Sequence, residues 1–154
     1  MLTKEERKEI NTEFWANFKA FSKKHKGIRT KRINWINYPT YVKQLYIRLT
    51  CDTESARFAI EIQDKDEGIR DLIWDQLEEL KKVLEKEMIE PGVWEKKAFN
   101  IAGHSISRIS WTLPGVSYLS KKDEEKIFPF FMQYLVRFDK FYSEYDEILI
   151  SLTH

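Results

Sequence analysis

The sequence predicts an α+β fold in which three helices cover an antiparallel sheet of four or five strands. Two observations point to this class. Segments with apolar residues at helical spacing are separated by pairs of short segments in which apolar and polar residues alternate. The resulting order, helix–hairpin–helix–hairpin–helix, lacks the strand–helix–strand alternation of parallel sheets. At 154 residues, of which 42% are hydrophobic, the chain is predicted to form a single domain spanning 1–154.

The first helix is predicted to start at Thr3, because Thr3 and Glu6 form a capping-box pattern before an apolar stripe. It is expected to end near His25–Gly27, where neighbouring lysines complement the helix dipole. A short strand is predicted at Ile33–Asn37, before a bend at Tyr38–Pro39.

Two further strands form the first predicted hairpin. Apolar and polar residues alternate in Leu45–Cys51 and again in Phe58–Gln63, and the link between these segments is short and polar. The second helix is indicated by one apolar stripe with charged residues opposite, and Pro91–Gly92 ends it. The stripe consists of Ile69, Leu72, Ile73, Leu77, Leu80 and Leu84.

The second hairpin is predicted from Trp94–Phe99 and Ser105–Thr112. Ser120 with Asp123 is the predicted start of the last helix. Pro129 lies either in its first turn or at the end of a short leading turn. The last helix has an aromatic-rich stripe formed by Ile127, Phe131, Tyr134, Leu135, Phe138, Phe141, Tyr142 and Tyr145.

Composition limits the functional classes. The chain has one cysteine, Cys51, so it can form neither an intramolecular disulfide nor a cysteine-based zinc site. The charged N-terminus lacks the apolar core of a secretory signal, and no segment approaches the roughly 18 apolar residues of a membrane span. We therefore expect a cytoplasmic protein with no membrane partner. The five glycines are scattered and the three histidines share no ligand-like spacing, so no cofactor and no metal site is predicted.

Charge is segregated along the chain. Residues 14–51, the basic window, contain nine Lys and Arg and no acid, whereas residues 52–90 contain thirteen acids and six bases. The basic window is a candidate nucleic-acid interface, because its bases would neutralise phosphates while exposed rings stack on nucleobases. Its candidate residues are Lys23, Lys24, Lys26, Arg29, Lys31, Arg32 and Lys43. The alternatives are that these bases pair with the acidic second helix, within or between chains, or only solvate the surface.

One set of residues has the outline of a metal-dependent nuclease site. Asp52 on one strand, with Glu61 and Gln63 on the next, matches the spacing with which restriction-type enzymes hold a divalent metal against phosphate. The alternative is structural, because Asp52 is a turn residue and Glu61 faces Tyr46 across the hairpin with Arg48 diagonal to it. We favour the structural interpretation.

The polar side of the predicted sheet is a further candidate site. It would carry Tyr46, Arg48, Glu61 and Arg108, and if it is open it offers a surface for a small molecule or a peptide. Trp35, by contrast, is expected to lie in the core, because burial favours large rings.

Five short motifs resemble a known family. They are WINY (Trp35–Tyr38) with a following VK (Val42 and Lys43), IEI (Ile60–Ile62), SRI (Ser107–Ile109), LPGVS (Leu113–Ser117) and an aromatic pattern of the last helix (Phe138, Asp139 and Phe141). With these motifs the chain resembles the bacterial domain-of-unknown-function family 4268, in particular its small standalone members, over almost its full length. Other members form the C-terminal part of longer chains with restriction-endonuclease-like regions. The resemblance therefore implies an association with nucleic-acid enzymes but no catalytic residue.

These features favour a non-enzymatic binding or interaction module that self-associates. An aromatic surplus and segregated charge allow a symmetric contact in which basic and acidic patches meet twice. The alternative functions are a nucleic-acid-binding accessory of a restriction or defence system and, third, a metal-dependent nuclease. The predicted partners are accordingly a second copy of the chain or a nucleic acid.

Overall fold

A computed structural model of the chain describes residues 1–27 and 32–153. The predicted α+β class with a four-stranded antiparallel sheet is confirmed. Within the described ranges there are four α-helices rather than the predicted three. The helices are α1 (Lys4–Ser22), α2 (Glu67–Glu79), α3 (Lys81–Met88) and α4 (Glu124–Leu152). The strands are β1 (Leu45–Cys51), β2 (Ser55–Ile62), β3 (Val93–Phe99) and β4 (Ser105–Pro114).

The strand order in the sheet is β1-β2-β4-β3, so β2 and β4 are central and β1 and β3 are the edges. β1 and β2 form the predicted hairpin, with Tyr46 opposite Glu61 as expected. Because successive side chains of a strand point to opposite faces, Phe58, Ile60 and Ile62 all join the hydrophobic core while Glu61 lies on the other side. That other side, which carries Tyr46, Arg48, Glu61 and Arg108, is called the polar face below.

α4 is the helix around which the aromatic core is arranged. Its Phe131 stacks on Trp15 of α1 with ring centroids 5.7 Å apart, and its Phe138 lies 6.0 Å from Phe58 of β2. Pro129 lies in the second turn of α4 without ending it, and no leading turn is broken off. Among residues 1–27 and 32–153, no helix combines the length and the apolar character needed to span a membrane.

The predicted second helix is wrong in one respect, because it is divided at Leu80. The backbone of Leu80 (φ −93°, ψ 4°) leaves the helical range, and its N–H is shared between the carbonyls of Gln76 and Leu77. The two halves bury residues against different neighbours: Ile73, Trp74 and Leu77 of α2 face the sheet and α4, whereas Leu84 and Met88 of α3 face α4. One straight helix would not satisfy both contacts.

The strand predicted at Ile33–Asn37 is also wrong. This segment is a loop with a turn, in which the Asn34 side chain accepts a hydrogen bond from the backbone N–H of Asn37 (3.2 Å). α1 ends at Ser22, earlier than the predicted His25–Gly27, and the freed carbonyl of His25 accepts the Trp35 indole N–H at 3.0 Å. The core position predicted for Trp35 agrees with its 2% exposure.

The start of the last helix differs from the predicted capping box. A 3-10 turn, Lys121–Asp123, precedes α4, and neither Ser120 nor Asp123 caps a helix with its side chain. Asp123 instead accepts a hydrogen bond from the backbone N–H of Ser117 at 3.0 Å. Its carboxylate therefore fixes the connection that follows β4.

Candidate functional site

The nuclease candidates Asp52, Glu61 and Gln63 are not brought together as a group. Asp52 lies in the β1–β2 turn, where its Oδ1 accepts hydrogen bonds from the backbone N–H groups of Glu54 (2.7 Å) and Ser55 (2.8 Å), which lower the pKa of its carboxyl. Glu61 lies six residues beyond Ser55 along β2, or about 20 Å at the rise of an extended strand. Among the described residues, no cluster of three or more His, Cys, Asp or Glu could hold a metal ion.

Glu61 is the centre of a hydrogen-bonded row across the polar face. Its Oε2 accepts from Arg108 Nε at 3.1 Å, and its Oε1 accepts from Gln63 Nε2 at 2.9 Å. Arg108 also approaches Glu95 of β3 at 3.8 Å. The side chains of Glu61 and Arg108 are only 11% and 12% exposed. Both oxygens of Glu61 are thus engaged within the chain, as a cross-strand pair requires.

The arginine that pairs with Glu61 is not the one expected from the sequence. Arg48 was placed diagonally to Glu61, but its guanidinium lies over the ring of Tyr46, 4.4 Å from the centroid. Arg108 takes the expected role because β4, and not only β1, adjoins β2 and places Arg108 directly opposite Glu61. The four polar-face candidates therefore form two pairs, of which Arg108–Glu61 is the more deeply buried.

The basic window is exposed where the structure describes it. Lys23, Lys24, Lys26, Arg32 and Lys43 are all exposed, whereas Arg29 and Lys31 lie outside the described residues. The rings of the window divide into two classes. Trp35 and Tyr38 are buried, while Tyr41 is 79% exposed and lines one cavity with Arg32.

That cavity, which sequence reasoning missed, lies between the loop that follows α1 and the C-terminal half of α4. It has a volume of about 240 Å³. We call it the Tyr38–Asp139 cavity after the hydrogen bond at its base. Its polar lining residues are Arg32, Asn34, Tyr38, Tyr41, Asp139, Tyr142, Ser143 and Asp146. Two segments about a hundred residues apart in sequence therefore contribute polar groups to one concave site.

Two phenols anchor the loop to α4. Tyr38 donates a hydrogen bond to Asp139 Oδ1 at 2.6 Å, and Tyr142 donates to the backbone carbonyl of Thr40. Burial raises the pKa of Tyr38 well above its usual value, and the Asp139 carboxylate raises it further. Burial, with a contribution from Asp146, likewise raises the pKa of Tyr142. Both phenols are therefore hydrogen-bond donors throughout the neutral range.

Close packing holds the loop in this position. The ring of Tyr38 meets Phe138 edge-on with centroids 5.5 Å apart. A Cβ atom at Gly27 would lie 2.1 Å from Ile33 Cδ1 and 3.2 Å from Asp139 Oδ2, so any larger residue would displace the Ile33 side chain. The cavity wall is thus formed by residues whose positions are determined by packing.

One signal in the sequence could have identified this site. Asp139 follows Phe138 in a helix whose core-facing stripe is otherwise aromatic and aliphatic, and it lies one turn from Leu135 and Tyr142 on that stripe. Asp139 is indeed only 4% exposed. Because a buried carboxylate requires hydrogen-bond donors, its place in this stripe indicates a polar contact inside the core.

Cys51 does not have the properties of a nucleophile. Its side chain is half-buried against the hydrophobic core. Burial raises the pKa of its thiol to about 12, so the thiolate is scarce at neutral pH.

The Tyr38–Asp139 hydrogen bond can be tested by removing the phenolic hydroxyl. We expect Tyr38→Phe to lower the free energy of unfolding by about 1.5–3 kcal/mol, because hydrogen bonds to charged groups are the stronger class. Tyr142→Phe, which loses a hydrogen bond to an uncharged carbonyl, should cost only about 1 kcal/mol. Urea denaturation measures both values, and equal losses in the two variants would contradict the assignment.

The buried phenols also predict a delayed alkaline titration. Of the seven tyrosines, Tyr38, Tyr134 and Tyr142 have a raised pKa in the folded chain. Each favours the folded state while protonated, so its contribution to stability is complete below the unfolded-state pKa of about 10 and falls as the pH rises above it. The ultraviolet absorbance of phenolate should therefore still show incomplete ionisation at about pH 12, where phenols of ordinary pKa are ionised, until the chain unfolds. Complete titration while circular dichroism stays native would refute this.

Comparison with known proteins supports the resemblance that the motifs suggested. The family model described as Domain of unknown function (DUF4268) matches residues 10–146, which include both segments that line the Tyr38–Asp139 cavity. The chain has no match among curated proteins and none among solved structures. Since the match covers most of the chain, the protein belongs to the family of domains of unknown function DUF4268.

Proposed function

We propose that the chain is a non-enzymatic binding module that takes a small amine-bearing ligand into the Tyr38–Asp139 cavity. The observation that carries this proposal is the convergence of polar groups from the loop and from α4 on one concave site. Sites of this kind, concave and built on a rigid element with a few well-placed polar groups, are typical of small-molecule binding.

The chemistry of the lining supports an amine as the ligand. The described lining residues include two carboxylates, Asp139 and Asp146, and one guanidinium, Arg32. Carboxylates are the side chains that accept charge-assisted hydrogen bonds from an ammonium group. The rings of Tyr38, Tyr41 and Tyr142 add faces that attract cations.

The size of the cavity supports a compact ligand. Its volume of about 240 Å³ lies below the roughly 300–1,000 Å³ typical of sites for drug-sized molecules. An amino acid or a short diamine matches this volume. An amino acid also carries a carboxylate that can pair with Arg32 and an ammonium group that can pair with a carboxylate of the lining.

The protonation state of the candidate phenols and of the Cys51 thiol supports binding rather than catalysis. The phenols of Tyr38 and Tyr142 and the thiol of Cys51 have raised pKa values and are protonated at neutral pH. Catalytic bases and nucleophiles have pKa values shifted towards the working pH. A phenol or thiol in such a role would have a lowered pKa, whereas the pKa values of these three groups are raised. Glu61 and Asp52, the carboxylates of the nuclease hypothesis, are held apart by the length of β2.

Ligand-dependent thermal stability tests the proposal. Amino acids and short diamines should raise the Tm, whereas carboxylic acids of the same size without an amine should not. At a hundredfold excess over Kd a ligand adds about 2.7 kcal/mol, or roughly 5–10 °C in Tm for a chain of this size.

A pair of matched variants locates the binding. Ser143→Leu fills the cavity and should abolish the rise in Tm, while Ser151→Leu, the same change at an exposed position of α4, should retain it. The proposal fails if no amine raises the Tm of the unmodified chain, or if Ser143→Leu responds like Ser151→Leu.

A second candidate function is nucleic-acid binding, and the exposure of the basic window favours it. The described bases Lys23, Lys24 and Lys26 follow α1 at its C-terminal end, and Arg32 lines the cavity together with the exposed ring of Tyr41. Such a combination of bases and an exposed ring is suited to phosphates and unstacked nucleobases.

A salt series on short DNA and RNA tests the second function. If the window binds phosphates, changing Lys23, Lys24, Lys26, Arg32 and Lys43 to Gln should remove most of the affinity and reduce the slope of log K against log salt by about 4. Changing Lys81, Lys82, Lys86, Lys121 and Lys122 to Gln removes the same charge elsewhere and should leave the slope unchanged. Equal losses in the two variants would show a general charge effect, and absence of binding at low salt would exclude the function.

A further inference from the structure

The outer edge of β1 has backbone groups without partners in the described chain. Gln63 N–H bonds to the Gln44 carbonyl (2.8 Å) and Asp52 N–H to the Ser55 carbonyl (3.0 Å). The even-numbered residues of β1 therefore bond to β2, and the odd-numbered residues direct their N–H and C=O groups outward. Leu45 is satisfied there by Val42 and Thr40. Ile47 is buried, at 4% exposure. For Leu49 and Cys51, which are partly exposed, the described residues provide no outward backbone partner.

The opposite edge of the sheet is protected, and the β1 edge is not. β3 is interrupted by an irregularity between Glu95 and Ala98, and Lys96 and Lys97 are exposed there. Bulges and lysines are the usual means by which proteins prevent an edge strand from pairing. β1 pairs with β2 through seven consecutive residues without a bulge or a proline. Of the two edges, β1 is therefore the one prepared to accept another strand.

A groove lies at the end of β1. It has a volume of about 760 Å³ and is lined by the residues from Leu49 to Asp52, by Trp15 and Ile101, and by Ser55, Arg57 and Thr112 of the two central strands. Ile101 is fully exposed. The groove gives an added strand both room and apolar surface.

We infer that the β1 edge binds β1 of a second copy of the chain in antiparallel pairing about a twofold axis. Charge selects this occupant and the register. With Thr50 opposite Thr50 of the second copy, Arg48 lies opposite Asp52 of the second copy, and the symmetry repeats this pair. Both side chains lie at or near the surface. A register centred on Leu49 instead of Thr50 loses both ion pairs. A register centred on Arg48 places the two Arg48 side chains opposite each other.

The pairing also satisfies the outward backbone groups of Leu49 and Cys51. In the register centred on Thr50, Leu49 exchanges hydrogen bonds with Cys51 of the second copy, and Cys51 with Leu49. The two sheets then become one continuous sheet of eight strands. This surface does not include the Tyr38–Asp139 cavity, so the inference is independent of the proposed ligand.

The first test removes an outward N–H without touching the β1–β2 ladder. The unmodified chain is expected to sediment as a dimer at micromolar concentration. Cys51→Pro removes the donor that the second copy requires, and proline is tolerated where an edge-strand N–H faces outward. It should weaken the dimer more than tenfold, whereas Cys51→Ala, which keeps the N–H, should not. A monomeric unmodified chain, or a Cys51→Pro dimer of unchanged strength that keeps native circular dichroism, would overturn the inference.

A second test traps the register and does not depend on tolerance of proline. In the Cys51→Ala background, Thr50→Cys places two thiols opposite each other, with Cα atoms about 4.5 Å apart in a non-hydrogen-bonded pair. This separation lies within the range of disulfides. Mild oxidation should therefore give a covalent dimer of Thr50→Cys but not of Thr112→Cys, a residue on the same groove two strands away. Equal cross-linking of the two variants would overturn the register.

The charge pairing has its own test. Arg48→Glu places two carboxylates at each ion-pair position and should weaken the dimer at least tenfold at low salt, with the difference from the unmodified chain shrinking as salt is added. Arg48→Gln should give an intermediate loss. A dimer that is insensitive to the charge of residue 48 would contradict the register in which Arg48 faces Asp52.

Discussion

The hydrogen bond from Tyr38 to Asp139 is the contact on which the irregular part of the structure depends. A carboxylate that is 4% exposed is tolerated only when donors surround it, because its desolvation costs several kcal/mol. The loop that carries Tyr38 must therefore lie against α4. The loop is held there against its own preferences, since Tyr41 and Gln44 both have left-handed φ angles of 60° and 67°. Its packing on α4 offsets that strain.

Polar groups of the sheet fall into two classes, those with hydrogen-bond partners within the described chain and those without. On the polar face, Glu61, Arg108 and Gln63 satisfy one another within the chain, and the pair at the centre is about 90% buried. Such a row stabilises strand register and needs no ligand. On the β1 edge, the outward N–H and C=O groups of Leu49 and Cys51 have no equivalent row among the described residues. Unsatisfied backbone groups at an unprotected edge, rather than buried side-chain pairs, are what a partner strand recognises.

Local pattern was sufficient to predict the four strands of the sheet and the first hairpin, because side-chain alternation and a short polar turn are properties of adjacent residues. The Thr3–Glu6 capping box was confirmed for the same reason. Prediction failed where contacts between residues far apart in the sequence determine the local structure. The break at Leu80 follows from two different packing surfaces. The Ile33–Asn37 loop follows from the hydrogen bond of Trp35 to the His25 carbonyl and from that of the adjacent Tyr38 to Asp139 of α4. The Tyr38–Asp139 cavity required a contact between residues 101 apart, which no local period encodes.

The two proposed binding surfaces are joined through Thr40. Its carbonyl accepts from Tyr142 at the cavity, and its Oγ1 donates to the carbonyl of Leu45 at 2.7 Å, where β1 begins. Thr40 Oγ1 also lies within hydrogen-bond distance of Val42. A ligand that orders the loop from Tyr38 to Val42 therefore also restrains the first residue of the edge strand. Because coupling between two binding equilibria is reciprocal, strand pairing on β1 would strengthen ligand binding by the same factor that the ligand strengthens pairing. Removing the Thr40 side chain would therefore abolish such coupling while leaving both the cavity and the β1 edge in place.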